Sequence, residues 1–146
     1  MSNHTVEEVL RRDGRYIATP VGVSMWPMLR SRTDTVLLVP ADAAALRRGD
    51  VILYCRPTGK MVLHRIRGRD AQGFVLCGDN QGAAEHGVQA EWIIGVMKGF
   101  FRKEKYIPVT ARGYRAYMRL VLWTHPLRAP FLRLRDHFRR RKGASA

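Results

Sequence analysis

A chain of 146 residues, 46% hydrophobic and 26% charged, can bury one real core but not two full-sized ones, and is not a wholly disordered chain. Its formal net charge of +14 is concentrated: residues 98–146 carry 14 Lys and Arg against Glu104 and Asp136, whereas the first 97 residues hold 12 basic and 10 acidic side chains. The opening MSNHTVEEVLRRDGRY lacks the apolar run of about 7 to 15 residues of a secretory signal, and no window reaches the roughly 18 apolar residues of a membrane span, so a cytoplasmic location is expected, peripheral to the inner face of the membrane at most.

Residues 1–15 read as a short helix, with Asn3 or Thr5 as cap, Glu7 and Glu8 in the first turn, Val6, Val9 and Leu10 as an apolar stripe and Gly14 as stop. From Tyr16 to about residue 109 the texture is that of a compact, mainly β unit. Short runs such as TVLLVP, DVILYC, MVLHRI, GFVLC, WIIGVM and YIPV are separated by Gly, Pro, Asp and Asn. Cys55 and Cys77 sit in two of these runs without CxxC spacing, which predicts reduced, half-buried strand residues and no redox role. Residues 110–146 form a basic amphipathic helical tail. Tyr114, Tyr117, Met118, Val121 and Leu122 make one apolar face, Pro126 is expected to break the helix, and Leu127, Phe131, Leu134 and Phe138 make a second face before a frayed RRRKGASA end.

Three segments could carry chemistry. In GVSMWPML, Ser24 stands where a strand must turn, but a serine is a poor nucleophile unless a base lies within hydrogen-bond reach. His64 differs from the other histidines in lying mid-strand, in MVLHRI. If Val62 faces inward, alternation sends His64 the same way, and burial favours the neutral imidazole that a general base requires. Spacing alone favours the plainer reading, a core histidine bonded to a backbone carbonyl. In CGDNQG, Asp79 is first of all a turn former, though an Asp there can also accept from an imidazole N–H and fix its tautomer. His4, His86, His125 and His137 look incidental, and no pair has zinc-ligand spacing, so neither metal nor cofactor is expected.

The succession GVSMWPML, RRGDVILY, MVLHRI, GFVLCGDNQG and WIIGVM resembles the signal peptidase and repressor-autoprotease superfamily over about residues 16–98. The resemblance implies a coiled, mostly antiparallel β-domain, with Ser24 of the SM dipeptide as nucleophile. Where bacterial signal peptidases and repressor autoproteases use Lys, this chain has His64, as in the Ser-His variety of endoplasmic-reticulum, archaeal and spore-former enzymes. Asp79 matches an Asp near the base in that variety, and either orients His64 or shapes the turn. Gly22, Met25 and Pro27 flank the nucleophile as oxyanion and substrate-binding positions. Gly22 departs from the small hydroxyl residue common two positions before the nucleophile, which leaves the oxyanion to backbone N–H groups, that of Ser24 included; one lost donor can cost about 100-fold or more in rate.

The chain shows neither the N-terminal anchor of true signal peptidases nor the DNA-binding domain of the repressors, so a general preprotein leader peptidase is not expected. The function anticipated is a serine endopeptidase that cleaves a leader or propeptide from a peptide or small protein. The alternative is a catalytically weak or inactive β-scaffold whose tail does the work. The face of residues 112–124 is expected to pack on the β unit, and residues 127–142 to meet an anionic membrane surface or an acidic protein. Nothing resembles a nucleic-acid-binding motif.

Overall fold

The computed structural model describes residues 5–144; Asn3, His4, Ser145 and Ala146 lie outside them. Helix α1, Val6–Asp13, starts where a capping box can close: Thr5 Oγ1 accepts the Glu8 N–H (3.2 Å) while Glu8 Oε2 accepts the Thr5 N–H (3.0 Å). It stops at Gly14, left-handed at φ 71°, whose N–H reaches Leu10 O at 2.9 Å. Leu10, on the apolar stripe, is buried.

Eight strands follow: β1 Tyr16–Ala18, β2 Thr35–Pro40, β3 Val51–Cys55, β4 Met61–Asp70, β5 Gly73–Cys77, β6 Glu85–Val88, β7 Ile93–Arg102 and β8 Lys105–Pro108. All pair antiparallel, in the order β1-β2-β7-β3-β4-β5-β6, with β8 added along the second half of β7. The sheet carries a core on each face. Leu10, Met25, Met28, Leu29, Val36, Leu38, Val51, Leu53, Met97, Phe100 and Tyr114 form one cluster; Leu46, Ile52, Tyr54, Val62, Ile66, Phe74, Leu76 and Val88 form the other. This is why VILYC does not alternate: β3 is central, and successive residues enter opposite cores. The β3–β4 register sets Ile52 opposite His64 and Val51 opposite Arg65, so His64 and Arg65 leave the sheet on opposite sides. Cys55 and Cys77 are both free thiols; Cys77 is fully rather than half buried.

The C-terminal helix corrects two expectations: Pro126 does not break it, and residues 139–143 of the end expected to fray are helical. Helix α2 runs from Arg112 to Gly143 without a break, through Pro126 and Pro130. A proline inside a helix costs about 3 kcal/mol, and here tertiary contacts offset it. Val121 O, in the turn that Pro126 disturbs, is approached by Arg67 Nη1 (3.4 Å) and Arg128 Nη2 (3.2 Å). Beyond the prolines, Arg128 donates to Asp79 O (3.1 Å), Arg133 to Gly82 O (3.0 Å) and Arg135 to both Asn80 O (2.7 Å) and Asn80 Oδ1 (2.8 Å). Such bonds contribute about 1 kcal/mol or more each. His125, which looked incidental from sequence, bonds Gln81 O at 3.0 Å and lies 3.5 Å from Cys77 Sγ. The face of residues 112–124 packs on the β unit: Tyr114 and Val121 are buried, and Tyr114 joins the larger core. Leu127, Phe131, Leu134 and Phe138 stay exposed. Among the described residues no helix is long and apolar enough to cross a membrane.

Candidate active site

Ser24 lies in the loop between β1 and β2, which is anchored at both ends of its turn. Met25, Met28 and Leu29 insert into the core, and backbone bonds Trp26 N to Val23 O (3.1 Å) and Leu29 N to Met25 O (3.0 Å) tighten the chain around them. Ser24 is left half-exposed. The far side of the loop is fastened by the GDN turn: the Asn80 N–H donates to Ser24 O (2.8 Å) and Asn80 Nδ2 to Val23 O (3.0 Å). Gly78 is required there, because a Cβ on it would sit 2.5 Å from Ser24 O. Gly22 has φ 101°, a region L side chains rarely adopt, so this backbone does not favour a hydroxyl residue at that position. Its N–H donates to Ser31 Oγ at 2.9 Å. Neither the Ser24 N–H nor its Oγ takes part in a hydrogen bond with any described residue.

His64 is 6% exposed and faces a chain of hydrogen bonds. Tyr54 O–H donates to Glu85 Oε2 at 2.6 Å, and the phenol oxygen lies 3.3 Å from His64 Nδ1. Glu85 is itself held by Arg56, through Nε to Oε1 (3.0 Å) and Nη2 to Oε2 (2.8 Å). A phenol has one proton to give. With that proton directed at the carboxylate, the Tyr54 oxygen can only accept from the imidazole, which assigns the proton to Nδ1 and leaves the Nε2 lone pair available. Burial, with Arg56 and Lys60 adding to it and Glu85 and Asp79 opposing, pushes the His64 pKa down to about 4, so the ring is neutral at pH 7. Burial works against the Glu85 carboxylate, yet the bonds from Arg56 and Tyr54 hold it below the usual range.

Asp79 does not touch His64. Its carboxylate is fully buried in a two-point pair with Arg65, Nε to Oδ1 and Nη2 to Oδ2 both at 2.8 Å, and it accepts from Tyr117 O–H at 2.9 Å. Of the two roles open to it from sequence, the contacts are those of a structural anchor. Arg65 also donates to Gly49 O (2.8 Å) and Tyr114 Oη (3.0 Å) and lies 3.3 Å from Met28 Sδ. Although burial opposes its charge, the bonds to Asp79 keep its pKa raised.

Ser24 and His64 line one cavity of about 900 Å³, together with Gly22, Met25 and residues of β1 and β4. Two unpaired backbone edges border it. Among the described residues, strand β1 pairs only with β2, and residues 61–64 pair only with β3, since β5 joins β4 from Arg65 onward. Arg140, near the end of α2, also reaches this cavity. Pro27 lies outside it and lines a second cavity with Phe100, Tyr114 and Tyr117.

Two site groups escaped the sequence. Tyr54 could have been found: the tight turn Arg56–Lys60, closed by Arg56 N to Lys60 O at 2.9 Å, fixes the hairpin register and places Tyr54 diagonally across from His64. Glu85 gives no local signal, because β6 meets β3 only through side chains. No family model, curated protein or solved structure matches this chain.

Proposed function

We propose that the chain is a serine endopeptidase of signal-peptidase-like fold and mechanism, which cleaves a leader or propeptide from a peptide or small protein. The observation that carries the proposal is the hydrogen-bond relay from Glu85 through Tyr54 to His64 Nδ1, on a neutral imidazole that shares a cavity with Ser24. That relay supplies what a serine nucleophile lacks by itself: a base with a fixed tautomer and a free Nε2.

In the reaction, His64 Nε2 takes the Ser24 Oγ proton as Oγ bonds to the scissile carbonyl carbon. The tetrahedral intermediate collapses as the imidazolium returns that proton to the leaving amine, giving an ester on Ser24. Water then loses a proton to Nε2 and attacks the ester carbon; the imidazolium returns that proton to Ser24 Oγ as the Oγ–acyl bond breaks, which releases the new carboxyl terminus and restores the free serine. Positive charge on the ring is stabilised by the Glu85 carboxylate through Tyr54, the part played by the aspartate in serine-protease triads. The unengaged Ser24 N–H is available to the oxyanion. An extended substrate strand can add to the free edges of β1 and β4 that border the cavity. The order of motifs over residues 16–98 and the antiparallel sheet agree with the superfamily named above.

The test is incubation with the peptides encoded beside the gene, followed by mass spectrometry. Cleavage at one bond, lost in both Ser24→Ala and His64→Ala, is expected. Cleavage that persists in Ser24→Ala, or no cleavage and no acylation of Ser24 by a serine-directed acylating probe, overturns the proposal.

A further inference from the structure

Helix α2 has two apolar faces, and the sheet covers only one. Tyr114, Val121 and Ala129 are buried against the β unit. On the opposite side Leu120, Trp123, Leu127, Phe131, Leu134 and Phe138 are 53–75% exposed, Trp123 and Phe131 the most at 75%. At 3.6 residues per turn and 1.5 Å per residue these six fall within an arc of about 80° and extend over about 27 Å. A line of large apolar side chains this long, facing water on a helix whose other face is held against the β unit, marks a contact surface rather than chance exposure.

Charge decides what the surface fits. Within α2 there are ten Lys and Arg and one acidic residue, Asp136. Arg112, Arg115, Arg119, Arg133, Arg139, Arg140 and Lys142 are exposed. Two copies joined along this stripe would bring two such rows together with only Asp136 of each to set against them, so a second copy of the chain is a poor occupant. A protein partner would need a groove some 27 Å long, by the same helix geometry, with acidic walls on both sides. An anionic lipid surface asks for nothing so specific. The stripe has Trp, Phe and Leu at its crest and basic side chains around it, the arrangement by which helices lie in the headgroup boundary. The β unit, on the opposite side of the helix, faces away from such a surface.

We infer that the Leu120–Phe138 face of α2 docks the protein on anionic membrane surfaces. This inference is independent of the peptidase proposal. The helix lies in the interface plane, its crest entering the acyl boundary and its guanidinium groups meeting lipid phosphates.

The experiment is co-sedimentation of the full chain with vesicles of phosphatidylcholine containing about one-third phosphatidylglycerol, against phosphatidylcholine alone, on native protein and Trp123→Ser/Phe131→Ser. Because both side chains are largely exposed, the double variant should keep the native unfolding midpoint. Expected are binding to anionic vesicles only, weakening with salt, and at least a ~30-fold lower partition coefficient for the variant, from the apolar area withdrawn from the acyl boundary. Failure to bind anionic vesicles overturns the inference. So does binding that the double variant retains, since charge alone would then suffice. A dimer in sedimentation velocity that the variant dissolves, or binding to polyglutamate in place of vesicles that depends on the same two residues, reassigns the face and likewise overturns it.

Discussion

Lowering the pH from about 7 to about 4.5 should cost this protein stability, and the share carried by His64 can be separated from the rest. In the unfolded chain His64 titrates near its ordinary 6.5; in the folded protein burial pushes it down to about 4. Between those values the unfolded state binds a proton that the folded state refuses, so unfolding takes one up and stability falls with pH. The contribution is whole above about 6.5 and disappears as pH approaches 4, amounting to about 2 kcal/mol between pH 7 and 4.5. Urea unfolding of native protein and His64→Phe across this range isolates it, because Asp34, Asp70, Glu85 and His125, whose pKa values are also lowered, titrate in both proteins. The native curve should lose about 2 kcal/mol more than the variant's. Curves parallel to within about 0.5 kcal/mol would mean that His64 is neither as buried nor as dry as its surroundings indicate, and would remove the basis for a neutral base at acidic pH. The same titration predicts a peptidase rate whose acid limb falls below about pH 5, well under the limb near 6.5 of a solvated histidine.

Tyr54→Phe removes the acceptor at His64 Nδ1 and a donor to Glu85, and kcat/KM should fall about 10- to 100-fold with the acid limb displaced, while a purely structural tyrosine would leave the pH profile unmoved. Arg65→Met strands the fully buried Asp79 carboxylate with only the Tyr117 hydroxyl, and denaturant unfolding should register a loss of about 3 to 5 kcal/mol; Arg65→Met/Asp79→Leu should recover part of it, since no charge is then left unpaired. Gly82→Ala would put a Cβ 2.6 Å from Arg133 N and 2.7 Å from Ala129 O; backbone atoms on a helix cannot step aside singly, so about 1 to 3 kcal/mol should be lost, with amide exchange quickening over residues 125–135. Unchanged exchange there would show that the helix does not rest on this turn.

Local pattern carried the β unit, because each strand is a short apolar run bounded by turn residues, and α1, because its capping box and Gly14 are contained within ten residues. Ser24 and His64 could be singled out from their order in the chain, and they line one cavity. What eluded sequence depends on contacts far apart in it. Pro126 looks like a helix end until the turn at residues 79–82 is seen to receive Arg128, Arg133 and Arg135. Asp79 looks like a partner for His64 until β3–β4 register sends Arg65 to the side where Asp79 waits and His64 to the other. Glu85 reaches His64 only through Tyr54, across three separate strands, and no window of sequence spans that distance.

The buried Arg65 has a further consequence, for how the chain can be shortened. Its guanidinium is completed by Tyr114, its carboxylate partner by Tyr117, and both tyrosines belong to the first two turns of α2. Trimming the helix away as though it were a detachable appendage would open the ion pair to water on one side and remove part of the core on the other. The smallest autonomous folding unit therefore extends past residue 117, and a shortened protein meant to remove the exposed Leu120–Phe138 stripe should end after that turn rather than before the helix begins.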